Sequence, residues 1–212
     1  MYGGISKKEV IFIAGSNGMV GSALKRLLKN DSSRILLTPK KQELDLSSTN
    51  SVFDWFKKHN PHIVINAAAK VGGINANYNY PVEFLLNNLK IQNNIIEASF
   101  KFNVRRLLFL GSSCIYPKDC KQPIREEYLM TSPLETTNEF YALAKISGLK
   151  LCEAYRKQYG FDAISLMPTN LYGPGDNYNP KNSHVMASLI RKFCEARKNN
   201  LSSVTCWGTG EP

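Results

Sequence analysis

Tyr141 and Lys145 stand four residues apart. In a helix that spacing puts both side chains on one face, one turn apart, where an ammonium can favour the phenolate and make the phenol a usable acid/base. Tyr-x-x-x-Lys alone is a cheap signal, because a solvated surface pair has the same spacing. Ser112 gives it weight. It lies in Gly111-Ser112-Ser113, directly after the apolar run 107–110, so its hydroxyl is expected at the carboxyl edge of a strand, where doubly wound sheets bind ligands. A tyrosine proton donor and a serine that orients a carbonyl are two parts of a carbonyl reductase; the third is a hydride donor.

A seat for that donor is legible near the amino terminus. The apolar run 10–14 leads into Gly15-Ser16-Asn17-Gly18-Met19-Val20-Gly21, a G-x-x-G-x-x-G turn that opens a helical segment. Gly15 allows the tight turn, Gly18 lets the backbone approach a pyrophosphate at the helix N-terminus, and Gly21 lets the helix pack close to the sheet. A glycine-rich turn with no ligand is the plainer alternative, weakened by the strand that precedes it. NAD sites place an Asp or Glu after the second strand, whereas this stretch reads Thr38-Pro39-Lys40-Lys41-Gln42. NADP(H) is therefore the expected cofactor, with Lys40 or Lys41 neutralising its 2′-phosphate; two solvated turn lysines are the other reading.

The elements that must position these groups follow from the hydrophobic pattern. Strand-like runs at 10–14, 35–38, 63–67 and 107–110 alternate with helical segments at 20–29, 51–60 and 81–102. A turn-rich loop at 116–138 precedes a long helix near 141–159 and a strand near 163–167. Continuous apolar strands buried on both faces require helices on either side of a mostly parallel sheet. The fold class is α/β, a doubly wound parallel sheet of the Rossmann type. Residues 169–183 are dense in Asn, Pro and Gly, the composition of a ligand-facing loop, and precede an amphipathic helix at 185–199. This divides the chain into a Rossmann domain at 1–168 and the start of a smaller substrate domain at 169–212.

Composition narrows the partners. The apolar runs are strand-sized, far below the roughly 20 residues that span a bilayer, and no secretory signal opens the chain; the cytoplasm is the expected location. Five cysteines, odd in number and without a C-x-x-C pair, argue against a disulfide framework and against a zinc site, so no metal is expected. The net charge of +10 is spread in short clusters such as Lys7-Lys8 and Arg105-Arg106. An anionic small ligand accounts for it without a nucleic-acid partner.

The glycine turn, Asn66-Ala67-Ala68-Ala69, Ser112 and Tyr141-x-x-x-Lys145 together resemble the extended short-chain dehydrogenase/reductase family over essentially the whole chain. Three longer strings are similar to its GDP-L-fucose synthase branch: Ala68-Ala69-Lys70-Val71-Gly72-Gly73-Ile74, Gly111-Ser112-Ser113-Cys114-Ile115-Tyr116-Pro117-Lys118 and Met167-Pro168-Thr169-Asn170-Leu171-Tyr172-Gly173-Pro174. The resemblance implies that one NADPH site serves both C3 and C5 epimerisation and C4-keto reduction of GDP-4-keto-6-deoxy-D-mannose. Epimerisation beside a ketone needs a carbon-bound proton removed and one returned on the other face. The family assigns the base to the cysteine matched by Cys114 and the partner acid to the histidine matched by His184; without the resemblance an inert buried thiol and a polar residue at a helix start are the plainer readings. It places Ser16, Asn17, Met19, Val20, Ala68 and Leu110 on the cofactor, with Lys145, Pro168, Asn170, Leu171 and His184 beside them. For the GDP-sugar it points to Asn170, Lys192 and Trp207. By analogy it also implies a homodimer through the helices at 81–102 and 141–159.

Departures and rivals accompany the resemblance. Asn17 stands where relatives carry an arginine on the cofactor phosphate. Family members continue well past residue 212, which predicts an incomplete sugar-binding lobe and, if Pro212 is the natural end, weak or absent turnover with cofactor binding retained. A nucleotide-sugar dehydratase would carry an acidic pair after Ser112 in place of Ser113-Cys114. A simple 4-epimerase would not need Cys114 and His184. A cofactor-binding chain without activity would be indifferent to the loss of the Tyr141 hydroxyl.

Overall fold

The computed structural model describes residues 8–180 and 182–206. Its frame is a five-stranded, all-parallel sheet in the order β2-β1-β3-β4-β5. The strands are β1 (Glu9–Ala14), β2 (Arg34–Leu37), β3 (Ile63–Asn66), β4 (Arg106–Leu110) and β5 (Ala163–Leu166); the helices are α1 (Met19–Leu28), α2 (Thr49–His59), α3 (Ile74–Asn79), α4 (Pro81–Lys101), α5 (Glu139–Tyr159) and α6 (Val185–Lys198). This is the expected doubly wound, Rossmann-like arrangement. The strand order reverses between β1 and β3, and such a switch point opens a crevice at the carboxyl ends of the strands.

Local chemistry explains where the elements stop. Ser48 caps α2 by accepting from the Ser51 N–H, and α2 ends on Lys57, Lys58 and His59, cations suited to a helix C-terminus. Pro81 opens α4, where its missing N–H costs nothing. Gly160 closes α5 with φ of 68°. The helix α3 was not expected, since Ile-Asn-Ala-Asn-Tyr-Asn has no apolar periodicity; buried Asn77 secures it by donating to the Gly72 and Gly73 carbonyls at 2.8 and 3.2 Å.

The core sits between the sheet and α2, α4 and α5. Phe12, Val64, Leu107 and Phe109 from the strands meet Val52, Phe56, Ile95 and Ile96 from the helices. Phe12 packs on Trp55 and Phe56 at ring distances of 4.3 and 5.6 Å. The expectation of strands buried on both faces describes the carboxyl half of β1 and fails toward the edge. Ile164 and Leu166 of β5 are 37% and 51% exposed, because β5 is a border strand among the described residues. Among those residues no helix is long and apolar enough to cross a membrane.

Candidate active site

At the carboxyl edge of the sheet a cleft of about 1530 Å³ runs from the glycine turn, across the ends of β3 and β4, to the start of α6. Its first wall is backbone. Gly15 has φ of 78°, and a Cβ there would lie 2.7 Å from the Ala68 backbone, so only glycine turns so tightly against β3's end. A Cβ on Gly21 would meet the Gly15 carbonyl oxygen at 2.2 Å. The expected close packing of Gly21 is therefore against the turn beneath α1, and Gly21 does not line the cleft. Gly18 caps α1 without a side-chain hydrogen bond, and no acidic residue occupies the first turn. The first amides of α1 are thus free of side-chain caps, the arrangement that receives an anion.

Ser16, Asn17, Met19, Val20 and Ala68 complete this wall. The Ser16 hydroxyl is buried without a partner among the described residues, a donor suited to a phosphate oxygen. Lys41 lines the cleft. Lys40 does not: it is exposed in a turn whose N–H donates to Glu43 at 2.7 Å. Asp45 also lines the cleft and was overlooked, because it lies beyond the positions at the end of β2 where an acid was sought. Its carboxylate accepts from the Ser47 hydroxyl and N–H at 2.7 and 2.9 Å, which hold its pKa below the ordinary value.

The second wall carries side-chain chemistry. Leu110 ends β4, and the chain turns through Gly111, whose Cβ would lie 2.8 Å from Met167 Sδ. Ser112 then caps a single 3-10 turn, Ser113–Ile115, by accepting the Cys114 N–H at 3.3 Å. From α5, Tyr141 faces Ser112 and Cys114, both of which act on its phenol. Lys145, only 4% exposed, donates to the Leu110 carbonyl at 2.7 Å and lies 5.0 Å from the Phe109 ring. Ser112, Cys114, Tyr141 and Lys145 thus share one end of the cleft.

The electrostatics differ from the expectation that Lys145 would lower the phenol pKa. Burial pushes Tyr141 up to about 12, with the Cys114 charge adding to the rise and the Ser112 hydrogen bond opposing it. Burial brings Lys145 down to about 8. The Lys145 ammonium lies 5.8 Å from the Tyr141 ring centre and is directed to Leu110. Desolvation is the largest cause for Tyr141 and the cause for Lys145, and Tyr141 is a neutral proton donor near neutral pH.

The far wall comes from the β5–α6 segment. Pro168, Asn170, Leu171 and His184 line it, and His184 is the N-cap of α6. Lys192 also lines the cleft, and its Nζ donates to the Thr205 carbonyl at 2.9 Å. Trp207 lies outside the described residues. Sequence reasoning missed Asn138, which lines the cleft and donates from Nδ2 to Cys114 Sγ at 3.6 Å; its only signal was its place three residues before Tyr141. Among the described residues no group of three or more His, Cys, Asp or Glu comes together to hold a metal.

The chain is 53% identical over 206 residues to GDP-L-fucose synthase 1 of Arabidopsis thaliana, covering 97% of this chain and 64% of that protein. It is 51% identical over 205 residues to the GDP-L-fucose synthase of Escherichia coli, again covering 97% of this chain and 64% of the relative. Its structure is similar to that of a GDP-L-fucose synthetase from Naegleria fowleri bound to NADP. The TM-score is 0.83 at 31% identity, over 97% of this chain and 67% of that one. The chain thus spans just under two thirds of the curated relatives it matches. A family model described as the NAD dependent epimerase/dehydratase family matches residues 11–212, and with the glycine turn and the Ser112–Tyr141–Lys145 cluster in one cleft, this chain belongs to that family.

Proposed function

We propose that this chain carries the cofactor site and the reacting groups of an NADPH-dependent GDP-L-fucose synthase, which epimerises GDP-4-keto-6-deoxy-D-mannose at C3 and C5 and reduces its C4 ketone. The observation that carries the reading is the meeting of Ser112, Tyr141 and Cys114 at the end of β4, in the same cleft as the capless α1 N-terminus. Relatives bearing that name support the substrate. The neighbour bound to NADP supports the cofactor.

The described residues fit a dinucleotide. The pyrophosphate would rest on the 15–18 backbone and the Ser16 hydroxyl, and Lys41 would face the 2′-phosphate. Asp45, occupied by Ser47, is not a bare carboxylate opposing it. When bound, NADPH supplies the hydride that C4 receives. Ser112 orients the C4 carbonyl by hydrogen bonding, and Tyr141, kept protonated by burial, gives its proton to the developing alkoxide. Lys145, buried beside Tyr141, contributes positive charge next to that site in its ammonium form. Before reduction, Cys114 removes a proton α to the ketone and His184, on the opposite wall, returns one from the other face. Asn170, Lys192 and Trp207 are the proposed contacts of the GDP-sugar.

The same reading assigns residues 1–168 to the cofactor domain and 169–212 to part of a sugar-binding domain. It includes a homodimer, supported by Val82 and Leu86 on α4 and Phe140 and Leu143 on α5, all exposed apolar side chains on neighbouring helices. It places the protein in the cytoplasm, where the five unpaired thiols suit a reducing compartment.

Incubation with NADPH and GDP-4-keto-6-deoxy-D-mannose in heavy water tests the reading. The expected result is ketone-dependent NADPH oxidation with deuterium at C3 and C5. Oxidation without deuterium at either carbon reduces the reading to a C4 reductase, and NADPH binding without oxidation or exchange sinks it for this chain.

A further inference from the structure

Asn138 is the N-cap of α5 and does not act as one. An asparagine there ordinarily turns its carbonyl oxygen onto the N–H of the second or third helical residue, yet this side chain makes no capping hydrogen bond. Its Nδ2 donates to Cys114 Sγ at 3.6 Å, and its Oδ1 is buried without a partner among the described residues. A forgone cap and an unpaired buried carbonyl both cost stability. Local rules are broken in this way where function dictates a side chain's direction. The sulfur lies between two holds: Cys114's own N–H is fixed on Ser112 Oγ at 3.3 Å, and the Asn138 amide approaches from α5.

We propose that Asn138 is a positioning residue for Cys114, holding the sulfur in the cleft and stabilising its anionic form by an N–H···S⁻ hydrogen bond. The inference rests on the epimerase reading given above. In that step a thiolate lone pair forms the S–H bond while the substrate C–H bond breaks. The released electron pair moves toward the C4 carbonyl oxygen, giving an enolate whose oxygen Ser112 and Tyr141 can reach. A neutral amide suits this task, because it donates to the anion without competing for the proton.

The ionisable groups around the sulfur are engaged elsewhere or shared by every variant of Asn138. Tyr141 faces it from α5, Lys145 is held on Leu110, Lys118 pairs with Glu135 at 3.1 Å in the segments before α5, and His184 stands on the opposite wall. Changing Asn138 therefore alters the sulfur's nearest donor while leaving these charges in place.

Alkylation by iodoacetamide, which attacks the thiolate, reads this directly. The rate at Cys114 would be followed by peptide mass spectrometry in the whole chain, at about pH 7 and about pH 10, with NADPH binding as the check of folding. Asn138→Ala is expected to slow alkylation about tenfold or more at the lower pH, the usual worth of a hydrogen bond to an ion, and to match wild type at the higher pH. Asn138→Asp keeps the shape, exchanges the donor for an anion, and is expected to slow it further; it decides the matter if the alanine variant fails to bind NADPH. Unchanged or faster alkylation at the lower pH, or equal slowing at both, overturns the proposal. If the pH-dependent slowing is found while wild type places no deuterium at C3 or C5, the Asn138–Cys114 coupling stands and the epimerase reading falls.

Discussion

The two edges of the sheet treat polar groups in opposite ways. At the amino edge the charges are paired: Arg105 with Glu9, Arg106 with Asp162 at 2.6 Å, Arg156 with the same carboxylate at 3.3 Å and Arg34 with Asp31 at 3.2 Å. At the carboxyl edge the Ser16 hydroxyl and the Asn138 carbonyl are buried without partners among the described residues, and Lys145 is buried on a backbone carbonyl. Satisfied charges in contact with water stabilise little. Buried groups with displaced protonation cluster at functional sites. The amino edge is the frame and the carboxyl edge is the instrument.

That contrast can be broken experimentally, and the largest effect is expected at Tyr141. Tyr141→Phe removes the proton donor and should lower C4 reduction about 10²–10⁴-fold, leaving NADPH affinity unchanged by fluorescence titration. Equal loss of affinity would make Tyr141 a binding group. Gly15→Ala comes next. With φ of 78° and the Ala68 backbone 2.7 Å from the new Cβ, the turn must shift, and NADPH binding is expected to weaken about 100-fold through the strain such backbone positions carry.

Lys145→Met sharpens the comparison, since it should trade activity for stability. Burial lowers the Lys145 pKa from 10.5 to about 8, so the folded state binds fewer protons than the unfolded one between those values. Wild-type stability therefore rises with pH across that window. Below it the buried ammonium costs about 3 kcal/mol by linkage. Lys145→Met should be more stable by up to that amount near neutral pH, with the advantage fading toward pH 10.5, as denaturant titrations at several pH values would show. A destabilised methionine variant at neutral pH would mean that the Leu110 hydrogen bond outweighs desolvation.

The smallest effect belongs to the amino edge. Arg106→Ala leaves Asp162 with Arg156, and in the lost pair Arg106 is exposed and Asp162 half-buried. The expected cost in thermal unfolding is under about 1 kcal/mol, with no change in NADPH binding. A larger loss would show that the frame depends on its surface charges.

Much of the fold was legible from alternation of apolar runs with helical segments, because β1 to β5 and α4 and α5 are long or strongly patterned. The short helix α3 was hidden, since it depends on Asn77 gripping Gly72 and Gly73 and not on its own periodicity. The glycine turn was legible because its conformation is set locally by the absence of Cβ atoms. Lys41 and Lys40 could not be told apart, since one residue of turn decides which faces the cleft. Asp45 and Asn138 escaped for the same reason: nothing in their neighbours marks which way a loop side chain points.

The sequence by itself determined the parallel sheet, the cradle of glycines, and the spacing that puts Tyr141 and Lys145 on one helical face, because these follow from steric freedom and short-range periodicity. Only the tertiary structure decided the protonation states and the company of the reacting groups. Burial by the packed sheet and α5 raises Tyr141, lowers Lys145 and turns Asn138 onto Cys114. Desolvation depends on what surrounds a group in space, and that is fixed by contacts between residues far apart in the chain.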